Sequence, residues 1–322
     1  MGRRMNGLRL SALLAGGTCC AAALAGPRPT LDLAGYQDES GAITVQLQGE
    51  TVDPYFALQA LLLARDFGFD VEPPARRWIA WLLPRQKPDA TFDRFCRRGP
   101  VWGPCKTADA DDASLALWMK LLESFPGTLK RDTAWRASLR ASKESLGRLR
   151  DPARGVYLVS PVYQHALFID NLEVAWRLPP RSAQARELSR QIHAVFWEGV
   201  PGRFRVTTQP HERTGAFYPE TVAQIFPLLT RFESLPASRG RYYAQWMREH
   251  RGDWLAQGKT DFAWGLIAAV ALREGDPASA ACWLREALPL RGGPHWIVTD
   301  EVASQVLAEA GVRPAPAERE CA

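Results

Sequence analysis

From about residue 53 onward the chain alternates between two kinds of helix-like segment. Residues 55–64, 113–122, 222–229 and 262–272 are apolar nearly all round and carry one charge between them, Lys120. The segments that follow them, such as 76–85, 131–150, 239–251 and 278–287, are amphipathic and strongly charged, as is 181–193. A helix that is apolar on every face must be buried on every side, whereas an amphipathic one keeps a wet face. The alternation predicts an all-α fold, an (α/α)6 toroid with an inner ring of helices wrapped by an outer ring. Helices are predicted at about 53–67, 73–85, 109–125, 131–149, 161–177, 181–197, 219–234, 238–255, 261–274, 277–288 and 299–310. Asp53-Pro54, Tyr218-Pro219 and Asp276-Pro277 supply starts, because proline suits the first turn of a helix. Eleven helices approach six hairpins. The twelfth partner is either missing or supplied by a segment that the pattern does not mark. An open solenoid is the competing form, but helical solenoid repeats are near-constant at about 34–47 residues. Here the unit drifts from 59 down to 39 residues.

Acids recur where the inner helices begin. Asp53, Asp111, Asp170, Glu220, Asp261 and Asp300 follow one another at spacings of 58, 59, 50, 41 and 39 residues. In a ring these carboxylates gather at one mouth. The connections 86–108 and 198–218 are long and rich in Gly, Pro and aromatics, as expected of loops on the rim of a binding site. The run 203–208 reads as a strand in that rim, and 42–47 as a short strand in a lead-in segment, residues 26–50. The toroid then spans 51–312, and 313–322 form a flexible tail.

Composition adds a compartment. Arg3, Arg4 and Arg9 precede an apolar run ending in Ala23-Leu24-Ala25, so residues 1–25 read as a cleavable export signal too short for a stable membrane anchor. The expected location is periplasmic or secreted; attachment of lipid at Cys19 is the lesser alternative. Removing those three arginines takes the formal net charge from +5 to +2. With no Lys/Arg run interleaved with aromatics, nucleic acid is excluded as a partner. Of six cysteines, Cys19 and Cys20 leave with the signal. Cys96 and Cys105 flank a Gly/Pro loop and are expected to form a local disulfide; Cys282 and Cys321 are left unassigned. No Cys/His spacing resembles a zinc site; no metal and no cofactor are assigned, although a carboxylate cluster could hold Ca²⁺ with suitable carbonyls nearby.

Three constellations carry the candidate chemistry. Lys106-Thr107-Ala108-Asp109-Ala110-Asp111-Asp112-Ala113 opens the third helix. The positive end of a helix accounts for one or two of its three acids. Asp170-Asn171-Leu172-Glu173 places two acids, three residues apart, on one face of an apolar segment, a costly arrangement unless they are paired or meet a cavity. Tyr218-Pro219-Glu220 sets an aromatic and an acid at the start of a segment that Pro227 is expected to kink. Cleavage of a glycosidic bond needs one protonated carboxyl to donate to the leaving oxygen and one ionised carboxylate to activate water or attack the sugar. Asp53, Asp111, Asp112, Asp170, Glu173 and Glu220 are the catalytic candidates. Tyr55, Trp102, Tyr218 and Trp264 are the candidate rings for stacking on sugars.

In this order, Val52-Asp53-Pro54-Tyr55-Phe56-Ala57, the 109–114 acid cluster, Asp170-Asn171-Leu172-Glu173 and the 218–227 segment resemble the pattern of the bacterial six-hairpin glycosidase-like (α/α)6-barrel superfamily. The resemblance covers most of residues 50–310 and implies a carbohydrate-active barrel, commonly a hydrolase with an Asp/Glu pair. The chain departs from the family 8 endoglucanase type, whose first inner helix opens with a Ser-Glu-Gly-Gln-type motif where Asp53-Pro54 stands here. The acid cluster also resembles that of class II terpene cyclases, whose second helical domain and Gln/Trp repeats are not evident. The expected activity is that of an exported glycoside hydrolase acting within a polysaccharide, with an exopolysaccharide secretion system as a candidate partner. Two alternatives stand beside it. One is a polysaccharide lyase using Tyr163, His165 or Tyr218 as base with Asn171 or an arginine. The other is a non-catalytic polysaccharide-binding protein of exopolysaccharide export.

Overall fold

The computed structural model describes residues 28–108, 110–210, 213–317 and 321. The expected export signal and Asp109 lie outside the described residues. The chain runs through α1 (Pro54–Asp66), α2 (Glu72–Leu82), α3 (Asp111–Glu123), α4 (Pro126–Arg131), α5 (Thr133–Arg148), α6 (Phe168–Arg177) and α7 (Ala183–Phe196). It continues through α8 (Val222–Leu229), α9 (Arg239–Ala256), α10 (Gly265–Arg273), α11 (Pro277–Ala287) and α12 (Val298–Glu309). The apolar helices α1, α3, α6, α8, α10 and α12 pack each against the next, and α12 packs back on α1, so the inner ring closes. Helices α5, α7, α9 and α11 lie against its outside. The fold is mostly α, as the alternation predicts.

Burial explains the ring. Ala57 to Ala64 of α1 and Gly265 to Ala271 of α10 are buried without a break. Each large aliphatic side chain among them, Leu58 or Leu61 for instance, contributes about 1.5–3 kcal/mol. Lys120, the one charge of these stretches, lies in the last turn of α3. Its Nζ donates to the Trp176 carbonyl at 2.6 Å and sits 4.6 Å from the Trp176 ring, so it reaches the carbonyl end of α6. Burial lowers its pKa to about 8. At the same end of the ring, Asp66 pairs with Arg273 at 2.7 Å and Arg231 at 3.2 Å. Arg273 also donates to the Leu229 carbonyl at 2.9 Å. Cations at helix C-termini match the negative end of the helix dipole.

The sixth outer element is not a helix. The segment from residue 30 to 50 fills the gap beside α12 and α2. Gln305 of α12 bonds the backbone of Asp32 in both directions, the Val298 N–H donates to Val45, and Gln37 donates to the Pro74 carbonyl. Leu31, Leu33, Tyr36 and Ile43 are buried by it. The expected strand at 42–47 is instead an isolated bridge between Gln37 and Ile43 followed by turns, because Thr44 turns back to bond Tyr36.

Two small sheets stand on the rim. One runs β1 (Thr51–Val52), β2 (Asp93–Arg98) and β3 (Val101–Thr107), all antiparallel; the other pairs β4 (Trp197–Glu198) with β5 (Arg203–Phe204). Disulfides join Cys96 to Cys105 across the β2–β3 hairpin and Cys282 to Cys321. Two inner helices begin later than periodicity predicts. Residues 161–167 are not helical, because Leu167 bridges Thr207 and the Phe168 N–H donates to Val206, which draws the chain into extended form. Residues 261–264 are also non-helical: the Ala263 N–H donates to His295, and Trp264 takes the left-handed conformation at φ 55°. Pro227 lies inside α8, but the backbone leaves helical geometry upstream of it, in a π-turn at Phe217–Thr221 where Tyr218 is extended.

The ion pairs of Asp66 give a first test. Asp66→Ala leaves Arg273, whose side chain is 15% exposed, without its carboxylate. The substitution is expected to cost about 2 kcal/mol of stability, measured by denaturant unfolding; a change within experimental error would show that these pairs do not hold the ring end together.

Candidate active site

A cavity of about 360 Å³ opens at the N-terminal ends of the inner helices. Of the residues proposed from sequence, Asp53, Tyr55, Asp170, Tyr218 and Trp264 line it, and so do Asp261 and Asp300. Gln59, Arg94, Phe56 and Phe262 join them.

Asp53 caps α1, its Oδ1 accepting the Tyr55 N–H at 3.1 Å. Its Oδ2 accepts from Nε of Arg94 on β2 at 2.6 Å, an ion pair in which the aspartate side chain is 6% exposed. The cavity thus holds a carboxylate paired with a guanidinium.

The second acidic feature is a cluster between α3 and α6. Asp112, Asp170 and Glu173 are all buried, and Asp170 is the one that also lines the cavity. Gln59 Nε2 donates to Glu173 Oε1 at 2.6 Å, and the Tyr55 hydroxyl donates to the same oxygen at 3.1 Å. Glu173 Oε2 and Asp112 Oδ2 are buried with no hydrogen-bond partner among the described residues. Burial, reinforced by the charge of Asp170, pushes the Glu173 pKa up to about 8, against the pull of the Gln59 and Tyr55 hydrogen bonds. The same causes, burial first and Asp170 next, hold Asp112 well above the usual carboxylate range. Neighbouring carboxylates in a dry site cannot all ionise, so protons stay within the cluster at neutral pH.

The other acids have different surroundings. Asp111 is half-buried at the start of α3, its N–H donating to the Val159 carbonyl. Burial raises its pKa to about 6, and it does not line the cavity. Glu220 lies off the cavity as well. It accepts the Thr214 N–H at 2.8 Å and pairs with Arg203 at 3.3 Å, tying the 198–216 loop to the start of α8. Asp300 lines the cavity while accepting the Gly265 N–H at 2.7 Å and the Ile297 N–H at 3.0 Å, so it joins the starts of α10 and α12. Burial raises its pKa to about 7 against those two bonds. Glu301 is turned away, paired with Arg291 and bonded to Trp296. The inner helices thus borrow caps from one another, and the sequence alone cannot separate such acids from a working pair.

Aromatic rings form one wall. Tyr218 stacks on Trp264 at 5.2 Å with planes 24° apart, Trp264 meets Phe262 at 6.0 Å, and Phe262 meets Phe56 at 5.8 Å. Tyr218 is 54% exposed. Trp264 holds its ring there from a left-handed backbone position that tryptophan rarely adopts, and such strain concentrates at functional sites. Trp102, the fourth candidate ring, is elsewhere. Its indole packs edge-on against Trp81 at 6.3 Å and donates to Asp38 at 2.8 Å, so it anchors the β2–β3 hairpin.

Of the bases considered for a lyase, Tyr218 alone lines the cavity. Tyr163 is exposed, and neither it nor His165 lines the cavity. The Asn171 amide is occupied by backbone groups of Tyr157 and Leu167. Among the described residues no group of three or more His, Cys, Asp or Glu is arranged to hold a metal ion, and no helix is long and apolar enough to cross a membrane.

Sequence reasoning passed over Gln59, Arg94, Phe56 and Phe262. Gln59 carries a signal, since it is the one polar side chain in the run 55–64. Arg94 carries none, because only the hairpin's pairing with β1 brings it to Asp53.

No family model and no curated protein matches the chain. Among solved structures it is similar to one described as a novel alpha-amylase from Clostridium perfringens. The TM-score is 0.60 at 9% identity, over 85% of this chain and 94% of the other. At that identity the likeness is one of fold. The shared fold is a mostly helical one.

The raised pKa of Glu173 gives a prediction about stability. The unfolded carboxyl ionises near 4.5 and the folded one near 8, so folding above 4.5 requires taking up a proton. Its contribution is complete below pH 4.5 and falls as pH rises toward about 8, by at most about 1.4 kcal/mol per pH unit. Glu173→Gln, a neutral mimic, is expected to flatten that fall and to be more stable than the parent at pH 8. Parallel stability curves for the two from pH 5 to pH 8 would exclude a protonated Glu173.

Proposed function

We propose that the protein is a glycoside hydrolase of the six-hairpin glycosidase-like superfamily, with Asp170 as the proton-donating carboxyl and Asp53 as the ionised partner. The observation that carries this reading is the division of acids within one cavity. Asp53 is ion-paired with Arg94. Asp170 reaches the cavity from a cluster of coupled carboxyls, so a proton held by Asp112 or Glu173 while Asp170 is ionised can pass to Asp170. Glycosidic cleavage asks for this contrast between two carboxyl groups. Glu173 and Asp112 act as positioning residues that keep a proton available to Asp170. Tyr218 and Trp264 offer stacked faces to a sugar ring. Asp111 and Glu220 serve the rim and the helix starts.

The fold relative is described as an alpha-amylase, so α-glucans head the substrate series. Among the described residues Arg94 is the one cation lining the cavity, and it is paired with Asp53, so the carboxylates of a polyuronate meet no other cation there, which weighs against the lyase. A binding protein has no need of buried carboxyls with raised pKa values. The two disulfides support work in an oxidising compartment, in line with export to the periplasm or beyond.

Asp53→Asn and Asp170→Asn are each expected to lower kcat by roughly 10²–10⁴-fold on the best α-glucan, with unchanged helical circular dichroism. Asp111→Asn is expected to stay within about threefold of the parent. Full activity in both Asp53→Asn and Asp170→Asn would remove this assignment.

A further inference from the structure

Charge is unevenly spread over the outer wall. Residues 126–155, which hold α4, α5 and the turn after them, carry eight Lys or Arg against three Asp or Glu, a formal +5. The chain beyond the expected signal carries +2 in all, so its remainder stands at −3. All eight cations are exposed. Asp132 caps α5, and Asp151, 3.8 Å from Arg154, accepts the Ala153 N–H. Glu144 is the one fully exposed acid of the stretch. On other outer helices acids stand beside the cations: Arg76 pairs with Glu72 at 2.7 Å, Arg190 with Glu187, and Arg239 with Glu274 at 2.6 Å. Here Lys130, Arg131, Arg140, Lys143 and Arg148 have no ion pair and no side-chain hydrogen bond among the described residues. Arg136, Arg140 and Lys143 follow at i, i+4 and i+7, which makes one stripe, and like charges at that spacing destabilise a helix. From Arg136 to Arg148 the cations span about 18 Å of helix.

We propose that the outer face of α4 and α5 docks on an anionic phospholipid bilayer, whose phosphodiester groups supply the missing counter-charges. The chemistry of the face selects this partner over a polymer or a protein. No large hydrophobic side chain is exposed between residues 126 and 155. The face therefore offers no ring for stacking on sugars or bases, and no apolar centre of the sort a protein interface is built round. What it presents is a convex row of long cationic side chains, which reach a charged plane without a pocket. Among the described residues no helix is long and apolar enough to cross a membrane, and the contact proposed is a peripheral one. α5 packs on the outside of α3, and no residue of 126–155 lines the cavity. Docking and the hydrolase reading are therefore independent, and the first can be tested without turnover.

Sedimentation with vesicles tests it, using the exported form of the protein, from residue 26 onward. The vesicles are phosphatidylcholine alone, or phosphatidylcholine mixed with phosphatidylglycerol. Binding is expected on the mixed vesicles alone, and is expected to be lost at about 1 M salt, where the screening length falls to about 3 Å. Each cation on such a face contributes about fivefold to the partition coefficient, the equivalent of about 1 kcal/mol. The double variant Arg140→Gln with Lys143→Gln is thus expected to bind about 25-fold more weakly than the parent. Arg241→Gln with Arg248→Gln removes the same charge from exposed positions of α9 and is expected to stay within about twofold. Equal losses in the two double variants overturn the proposal, because net charge rather than this face then governs binding. Equal binding to both kinds of vesicle overturns it, and so does binding to neither. Capture of soluble polygalacturonate without binding to the mixed vesicles assigns the face to an acidic polymer and overturns it as well.

Discussion

An inner helix of this ring touches other helices on every side, so the one place where it can carry polar groups cheaply is its first turn. There the backbone N–H groups point out of the ring with no partner in their own helix. They attract carboxylates, and the ring geometry brings six such turns to one mouth. Asp53 caps its own helix, and Asp300 caps two at once. Asp170 and Glu173 extend the acidic zone into α6, where burial turns it into a store of protons. The gathering of acids at the mouth is thus a by-product of closing a ring with apolar helices.

Much of the frame could be read in the sequence. Stretches with almost no charge marked α1, α3, α8 and α10, and the drift in spacing spoke for a closed ring over a solenoid. Boundaries failed where backbone from another segment took over. Residues 161–167 lost their helix to pairing with 204–208, and 261–264 to the bond with His295. The sixth outer element was illegible because it has no helical period; residues 30–50 hold their place through backbone bonds and a few buried side chains.

The site was legible to a lesser degree. Asp53, Tyr55, Asp170, Tyr218 and Trp264 were marked by their position at helix starts, and the cavity collects them. Trp102 and Glu220 carried the same marks yet serve the rim, since an aromatic or an acid beside a helix start looks alike in either role. What separates them is the partner across space: Trp81 and Asp38 for Trp102, Arg203 and Thr214 for Glu220. Arg94 was beyond reach for the same reason.

The packing of α12 on α1 also sets the order in which the molecule can be made. The first and last inner helices meet across almost the whole chain, so loop closure comes late and the contact is among the most costly in chain entropy. Until α12 has emerged, a side of α1 and of α10 that is destined for the interior stands open to water. A nascent chain of this kind is prone to stick to its neighbours. Once α12 packs on α1 and α10, those faces are no longer open to other chains.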